Sequence, residues 1–372
     1  MSANVGFIMR EYGKEYLRKN KGNIVYQQIK ALKSISECQT GNLGLGIYSC
    51  DTCKRFQILK ASCGNRHCPG CQGWRTFDWA KRQEEKNLSI EYFFMTFTVP
   101  EELRFLIYKH QRKMYPAMFK ISANIIKTMM GDSKHLGAKT TGFTSVLHTW
   151  GGMLQFHPHI HVLLPGGGLD QHGKWVGFKR GFGLAVKAAS KLWRGKLLAE
   201  LERIAGRSNL PESIASKSFN VYCKSAGTGN QVVKYLSRYI FRVGISNNRI
   251  LKVENRKVTF KYKDKETKKT KVTSLDVLKF IDRFLKHVLP SGLVKVRHYG
   301  FHHPNSKIDK DFLKERIQQN HQAYIESKTV ETPDSSMKGK ASFKGPKCRH
   351  CDGKLTLKVS YRMVRVEYSN TG

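Results

Sequence analysis

The feature that most constrains the fold is a run of histidines at alternate positions. Residues 156–167 read FHPHIHVLLPGG, an apolar stretch closed by a proline and glycines. Alternate side chains of a β-strand point to one face, so His157, His159 and His161 share a face while Ile160 lies on the other. A row of imidazoles suits a divalent ion, or carboxylate or phosphate partners. An ordinary half-exposed strand would also accommodate it.

A second strand precedes the histidine run. Residues 144–150 read TSVLHTW, and two glycines at 151 and 152 then turn the chain back. The two strands should therefore pair as an antiparallel hairpin, with His148 across from the histidine row. A buried strand is predicted at 92–99 and a short strand at 219–223. Apolar periodicity predicts helices over 7–37, 74–89, 101–130, 182–205, 231–242 and 274–288.

The later part of the chain contributes a smaller hairpin and a charged segment. We expect strands at 250–253 and 258–262 around Asn255-Arg256, a loop over the charged run 263–271, and a strand at 294–299. Together these patterns predict an α+β fold, an antiparallel sheet with flanking helices, and the early CxxC pairs at Cys50 and Cys68 would add a small zinc-binding module before it. The predicted domains are 1–90, 91–305 and a basic polar tail, 306–372.

The charge of the chain indicates its partner. Lys plus Arg number 66 against 28 Asp plus Glu, a formal net charge of +38. Such an excess suits a polyanion, of which a nucleic acid is the simplest, although a membrane surface would also attract it. The sequence has no apolar run near the ~20 residues of a spanning helix and no signal-peptide layout at its start. We therefore expect a cytoplasmic protein, associated with the nucleoid when it is bound to DNA.

The cysteines indicate metal binding. Six of the nine lie in a short early span, and a reducing cytosol disfavours disulfides. Two CxxC pairs separated by 14 residues predict one structural Zn²⁺ site from Cys50, Cys53, Cys68 and Cys71. Cys38, Cys63 and His67 also lie in this region. They could complete a second site, replace a ligand of the first site, or be small packing residues near the metal. A late pair, Cys348 and Cys351, is incomplete alone, so it is either idle or completed by a ligand from elsewhere.

Two tyrosines lie one helical turn apart in a predicted helix. Tyr235 and Tyr239 are i and i+4 in the helix predicted at 231–242, and Arg238 and Arg242 border the same face. Spacing alone favours tyrosines that pack beneath a sheet. Beside a histidine-held metal on a basic chain, however, a tyrosine hydroxyl would have a DNA phosphate to attack and would keep the strand end as a phosphotyrosine.

Several stretches jointly resemble the IS91-type rolling-circle transposases, two-tyrosine members of the HUH endonuclease superfamily with an N-terminal zinc-binding domain. The resemblance spans about residues 38–300. It is carried by residues 63–72, 147–151, 157–161, 235–239, 242–250, 280–290 and 297–300.

The resemblance implies a role for each motif. His159 and His161 would be two ligands of a catalytic Mg²⁺ or Mn²⁺, with His148 as the expected third ligand and His157 as the alternative. Tyr235 and Tyr239 would be the nucleophiles, and Arg238 and Arg242 would contact phosphate. The expected activity is nicking and rejoining of single-stranded DNA at transposon termini and target. A plasmid relaxase or replication initiator of the same chemistry and a catalytically silent zinc DNA-binding protein are the alternatives.

Overall fold

A computed structural model describes residues 3–72, 88, 90–178, 183–228, 243–264, 266–325 and 347–361. The described helices are α1 Val5–Lys19, α2 Tyr26–Ser36, α3 Arg104–Lys109, α4 Gln111–Gly131, α5 Val186–Ala205, α6 Val277–Leu285 and α7 Lys310–Ile325. The strands are β1 Leu45–Cys50, β2 Phe56–Lys60, β3 Glu91–Thr98, β4 Phe143–Trp150, β5 Phe156–Pro165, β6 Gly167–Leu169, β7 Trp175–Gly177, β8 Val221–Thr228, β9 Ile250–Glu254, β10 Lys257–Lys263, β11 Thr270–Asp276, β12 Val296–Tyr299 and β13 Leu355–Tyr361. The helix predicted at 231–242 and, except for residue 88, the helix predicted at 74–89 lie outside the described residues.

A five-stranded antiparallel sheet forms the centre of the molecule, in the order β12-β4-β5-β3-β8. Its middle strand is β5, the predicted histidine strand. The expected hairpin with β4 is confirmed, and the register places His148 directly opposite His159. Mixed helices and antiparallel sheets confirm the α+β class.

The two faces of this sheet differ in chemistry because side chains alternate. Ile160, Val162 and Leu164 of β5 enter the main hydrophobic core, which also contains side chains from α4 and α5. Trp193 of α5 packs against Phe97 of β3, with ring centroids 5.3 Å apart, and its indole N–H donates to the Thr98 carbonyl at 2.8 Å. The opposite face carries the histidines. One apolar face thus anchors the strand that presents the imidazoles.

A second core lies beneath α1, α2 and α6. These helices pack with the three-stranded sheet β11-β10-β9, and the buried side chains include Cys68 and Cys71. The predicted hairpin is confirmed: Asn255 and Arg256 both adopt positive φ, 47° and 58°, which a tight two-residue turn between β9 and β10 requires.

The loop predicted over the charged run 263–271 is confirmed in its central residues, while its two ends belong to strands. Lys263 ends β10 and Thr270 begins β11, so only the centre of the 263–271 run turns the chain. Because β11 exposes most of its side chains, its sequence lacks the apolar alternation that identifies a strand. The predicted helix at 274–288 consequently begins at Val277, where the Asp276 carboxylate accepts hydrogen bonds from the Leu278 and Lys279 amides.

A small sheet joins distant parts of the sequence. β1 pairs with β2 on one side and with β13 on the other, both antiparallel. Residues 355–361 of the predicted tail therefore complete a sheet that begins at residue 45. Among the described residues, no helix is both long and apolar enough to cross a membrane.

Burial of the apolar face of β5 should contribute strongly to the stability of the fold. Ile160 is completely buried in the main core, so Ile160→Ala should cost roughly 2–5 kcal/mol of unfolding free energy. The matched control is Val272→Ala, because Val272 is 55% exposed and its truncation should change stability by less than about 0.5 kcal/mol. Urea unfolding of the full chain would measure both. Equal midpoints for the two variants would contradict this packing.

Candidate active site and metal centres

Three histidines converge on the polar face of the central sheet. His148 projects from β4, and His159 and His161 project from β5. One ring nitrogen from each lies within 4.8 Å of the others, and all three residues are buried. The Nε2 atoms of His159 and His161 are 2.9 Å apart. Three buried imidazole nitrogens this close have the geometry of a metal-binding site.

Neighbouring groups orient these rings. The Nδ1–H of His159 donates to the His157 carbonyl at 2.7 Å, which leaves its Nε2 facing His161. His161 Nδ1 is 3.0 Å from the Thr96 hydroxyl on β3, the residue paired with it across the sheet. Two Nε2 atoms facing each other at 2.9 Å need a proton or a cation between them. Partners at Nδ1 are the usual means of holding metal-ligating histidines.

His157 lies outside this trio. Its side chain is on the same face, at the beginning of β5, and its ring is tilted against His159 with centroids 5.2 Å apart. Its contribution to the site is the main-chain carbonyl that fixes His159. Of the two candidates for the third ligand, the structure thus places His148 with the pair and His157 beside it.

Aromatic and cationic residues that the sequence analysis did not identify surround His148. The Trp150 ring stacks on His148 with centroids 4.5 Å apart, and Lys295 Nζ lies 5.3 Å from the centre of the Trp150 ring. Burial, with a smaller effect of Arg66, lowers the pKa of Lys295 to about 7. Trp150 is two residues after His148 on the same strand, so strand alternation could have predicted that the two side chains share a face. Lys295 comes from a distant segment, and no local sequence pattern predicted its place beside Trp150.

A fourth histidine, His287, is buried behind this edge of the sheet. Its Nδ1 is 3.3 Å from the Thr149 hydroxyl, and its Nε2 is 3.1 Å from the Leu154 carbonyl. Burial lowers its pKa to about 4. The imidazole is therefore neutral in the folded protein at neutral pH and acts as a hydrogen-bonded support rather than as a charge.

The first group of cysteines comprises Cys38, Cys63, Cys68 and Cys71. Cys71 Sγ is 3.6 Å from the Sγ atoms of Cys38 and Cys63, and Cys68 Sγ is 3.6 Å from that of Cys38. Ligands about 2.3 Å from a tetrahedral zinc would be about 3.8 Å apart. Hydrogen bonds from the other three thiols lower the pKa of Cys71, whereas the same contacts raise the pKa of Cys68. Four thiolates this close require a cation.

The second group comprises Cys50, Cys53, Cys348 and Cys351. Cys50 Sγ is 3.5 Å from Cys351 Sγ, and Cys53 Sγ is 3.5 Å from Cys348 Sγ. These separations are again close to a tetrahedral edge and are far beyond the ~2.05 Å of a disulfide.

The predicted set of Cys50, Cys53, Cys68 and Cys71 is therefore not brought together. Cys68 and Cys71 pack near the end of α2, where Cys38 and Cys63 complete the group. Cys50 and Cys53 occupy the turn between β1 and β2, where the pairing of β13 with β1 delivers the two late cysteines. The spacing of the cysteines along the sequence does not predict that β13 pairs with β1.

The suggested second site with Cys38, Cys63 and His67 also requires correction. His67 lies apart from both cysteine groups, and its Nε2 accepts a hydrogen bond from the Leu289 amide at 3.3 Å. Burial, assisted by the nearby Arg66 charge, lowers the pKa of His67 to about 3. His67 is thus a neutral acceptor that supports the chain at Leu289.

The predicted nucleophiles Tyr235 and Tyr239, and the predicted phosphate contacts Arg238 and Arg242, lie outside the described residues. The described flanks are informative. Thr228 ends β8 at the edge of the central sheet. Gly244 is so close to Leu154 and His287 that an added Cβ would lie about 3.0 Å and 3.1 Å from their side chains. The chain therefore resumes beside the supports of the histidine site.

Comparisons with known proteins agree with this architecture. Residues 142–309 match the family described as "Putative transposase", and residues 8–99 match the "Transposase zinc-binding domain". The chain is 35% identical over 318 residues to "Putative transposase y4qJ" of Sinorhizobium fredii, covering 80% of this chain and 79% of the relative. It is 24% identical over 295 residues to the transposase for insertion sequence element IS801 of Pseudomonas savastanoi pv. phaseolicola, covering 74% of this chain and 70% of the relative. No solved structure matches the chain.

These matches identify the chain as a transposase with a zinc-binding domain, and the cysteine-rich N-terminal module agrees with that class. More specifically, the chain belongs to the IS91-type family of rolling-circle transposases.

His287 should make stability depend on pH. Its folded-state pKa of about 4 lies below the ordinary 6.5, so the unfolded chain binds the proton first as pH falls. This contribution to stability is present above pH 6.5 and is lost as pH falls towards 4. Between pH 6.5 and 5, protonation of His287 in the unfolded state should remove about 2 kcal/mol.

His287→Gln should therefore reduce the difference between the urea midpoints at pH 7.5 and pH 5. His135→Gln, at a side chain that is 68% exposed, is the control. An unchanged pH response in His287→Gln would contradict this role for His287.

Proposed function

We propose that the chain nicks and rejoins single-stranded DNA at transposon ends through a 5′-phosphotyrosine intermediate. The observation that carries the proposal is the trio of His148, His159 and His161. Their nitrogens share one small space, and two of the rings are oriented through Nδ1.

The donor set suits a divalent metal that leaves room for substrate. The three imidazoles of His148, His159 and His161 would hold the ion and leave it free to contact water and the oxygens of a DNA phosphate. Imidazole nitrogen is a softer donor than carboxylate, so we expect Mn²⁺ to bind more tightly than Mg²⁺. When bound, the ion would withdraw charge from the scissile phosphate and orient it.

The chain itself supplies the nucleophile. The hydroxyl oxygen of Tyr235 or Tyr239 attacks phosphorus and gives its proton to solvent or a nearby base. The bond between phosphorus and the 3′ oxygen breaks, and this oxygen takes up a proton from solvent, so the released strand ends in a 3′ hydroxyl. The phosphotyrosine retains the bond energy, so a 3′ hydroxyl from another strand can reverse the step and reseal DNA. Two tyrosines allow one protein to hold one end while it attacks a second.

Charge and the zinc-binding domain supply DNA affinity. The formal net charge of +38 favours a long phosphate contact, to which Arg238 and Arg242 would contribute beside the tyrosines. We assign the structural zinc of the family's zinc-binding domain to Cys38, Cys63, Cys68 and Cys71, all within residues 8–99. Both relatives carry the name transposase, which favours transposon ends over a plasmid origin as substrate.

A denaturant-stable adduct tests the nucleophiles. A single strand spanning an element terminus, labelled at its 3′ end, should yield a labelled protein band with Mn²⁺ or Mg²⁺, because the 5′-phosphate of the labelled fragment stays on tyrosine. The Tyr235→Phe/Tyr239→Phe double variant should form none. Tyr222→Phe, at a 60% exposed tyrosine of β8, should form the adduct normally.

An adduct that persists in the double variant would refute tyrosine catalysis. If the unaltered chain forms no adduct with either metal, it is a silent DNA-binding protein. If the adduct forms only on plasmid-origin strands, it is a relaxase or replication initiator.

A pair of histidine variants tests the metal site. His148→Ala should weaken Mn²⁺ binding to the zinc-loaded chain by at least about tenfold, because it removes a ligand. His157→Ala should change it by less than about threefold, since the carbonyl that fixes His159 remains. Isothermal titration calorimetry measures both. The reverse order of effects would identify His157 as the third ligand.

A further inference from the structure

The late cysteine pair, which neither family match includes, meets Cys50 and Cys53. We infer that Cys50, Cys53, Cys348 and Cys351 form a second, discontinuous zinc site that fastens residues 347–361 to the N-terminal module. We call this four-cysteine group the terminal clasp.

The two halves of the terminal clasp have the same local conformation. In the first, the Cys50 amide donates to the Arg55 carbonyl at 2.9 Å and the Lys54 amide donates to the Cys50 carbonyl at 3.0 Å. In the second, the Cys348 amide donates to the Gly353 carbonyl at 2.8 Å and the Asp352 amide donates to the Cys348 carbonyl at 3.0 Å. The structure therefore contains two copies of one tight turn that face each other.

Backbone dihedrals and thiol contacts strengthen this equivalence. Lys54 and Asp352, each four residues after the first cysteine of its pair, both have positive φ, 60° and 57°. Each turn also directs an amide at its first thiol, although from different positions: the Cys53 amide donates to Cys50 Sγ from three residues on, and the His350 amide donates to Cys348 Sγ from two residues on, both at 3.4 Å. Amide donors stabilise sulfur as thiolate, the form that binds metal.

Further contacts bring the halves together. The Asp51 amide donates to the Lys354 carbonyl at 2.9 Å, and the Thr356 hydroxyl donates to the Asp51 carboxylate at 2.8 Å. At Gly353, a Cβ would lie 2.9 Å from Cys50 Sγ and 2.5 Å from the Thr52 hydroxyl. Only glycine therefore permits this approach of the second turn to the first.

The apolar core around the terminal clasp is small. Its buried members are Cys50, Cys348 and Leu355, with Tyr48, Cys53 and Leu59 packed against them. So few apolar side chains do not hold a separate segment in place, and a metal is the usual substitute in such modules. Sγ atoms within 4.8 Å fit one tetrahedral ion, whereas an iron–sulfur cluster would place its own sulfides between the thiolates.

Zinc content gives the first test. Elemental analysis of the purified full chain should find two zinc ions per chain, and the Cys348→Ser/Cys351→Ser variant should retain one. Cys223→Ser is the matched control and should retain two, because Cys223 belongs to neither group. Two ions in the tail variant, or one in the unaltered chain, would overturn the terminal clasp.

Thiol alkylation of the zinc-loaded chain, read by mass spectrometry, tests the connection between the two halves independently of the zinc count. Cys351 is exposed, so its protection in the zinc-loaded chain would require metal rather than burial. In Cys50→Ser/Cys53→Ser, both Cys348 and Cys351 should become reactive, while Cys68 and Cys71 should stay protected and report an intact module. Continued protection of Cys348 and Cys351 in that variant, or their reactivity in the unaltered zinc-loaded chain, would refute the inference. Neither result bears on the tyrosine mechanism.

Discussion

The interaction on which the rest of this structure depends is the antiparallel pairing of β5 with β4 and β3. Backbone hydrogen bonds set the register, and that register alone places His148 opposite His159 and Thr96 opposite His161. A shift by one residue would move every histidine into the apolar core and every core side chain to the polar face. Burial of Ile160 and its neighbours against the helices therefore also fixes the site, because both faces belong to one strand.

The cysteine groups serve a different physical purpose. The central sheet is stabilised by a large hydrophobic core, whereas the sheet formed by β13, β1 and β2 has few buried apolar side chains. Metal–thiolate bonds can replace apolar burial in a module of this kind. The family's zinc-binding domain includes α2 and most of α1, and the proposed terminal clasp would add β13 to this domain. On this proposal, two small metal-held units, one of them built from both ends of the chain, accompany one large sheet that carries the chemistry.

Much of the fold could be predicted where local pattern and final environment agree. The β4–β5 hairpin follows from strand alternation and the glycines between the strands, and the β9–β10 hairpin follows from the turn at Asn255-Arg256. Prediction was wrong where the pattern was weak. β11 exposes most of its side chains and therefore resembles a charged loop, and Asp276 ends that strand while it caps α6. Apolar periodicity does not predict a helix cap of this kind, because the cap depends on the single carboxylate of Asp276.

The sequence by itself determined the types of residue available for chemistry: histidines on one strand face, cysteine pairs and two tyrosines one helical turn apart. These follow from local periodicity, which acts over a few residues. Only the tertiary structure decided which of them meet. Cys50 joins Cys351 rather than Cys71, and Lys295 reaches the Trp150 ring that stacks on His148, because strand pairing brings together segments more than a hundred residues apart. Ligand spacing along a chain constrains a metal site only when the chain between the ligands is short.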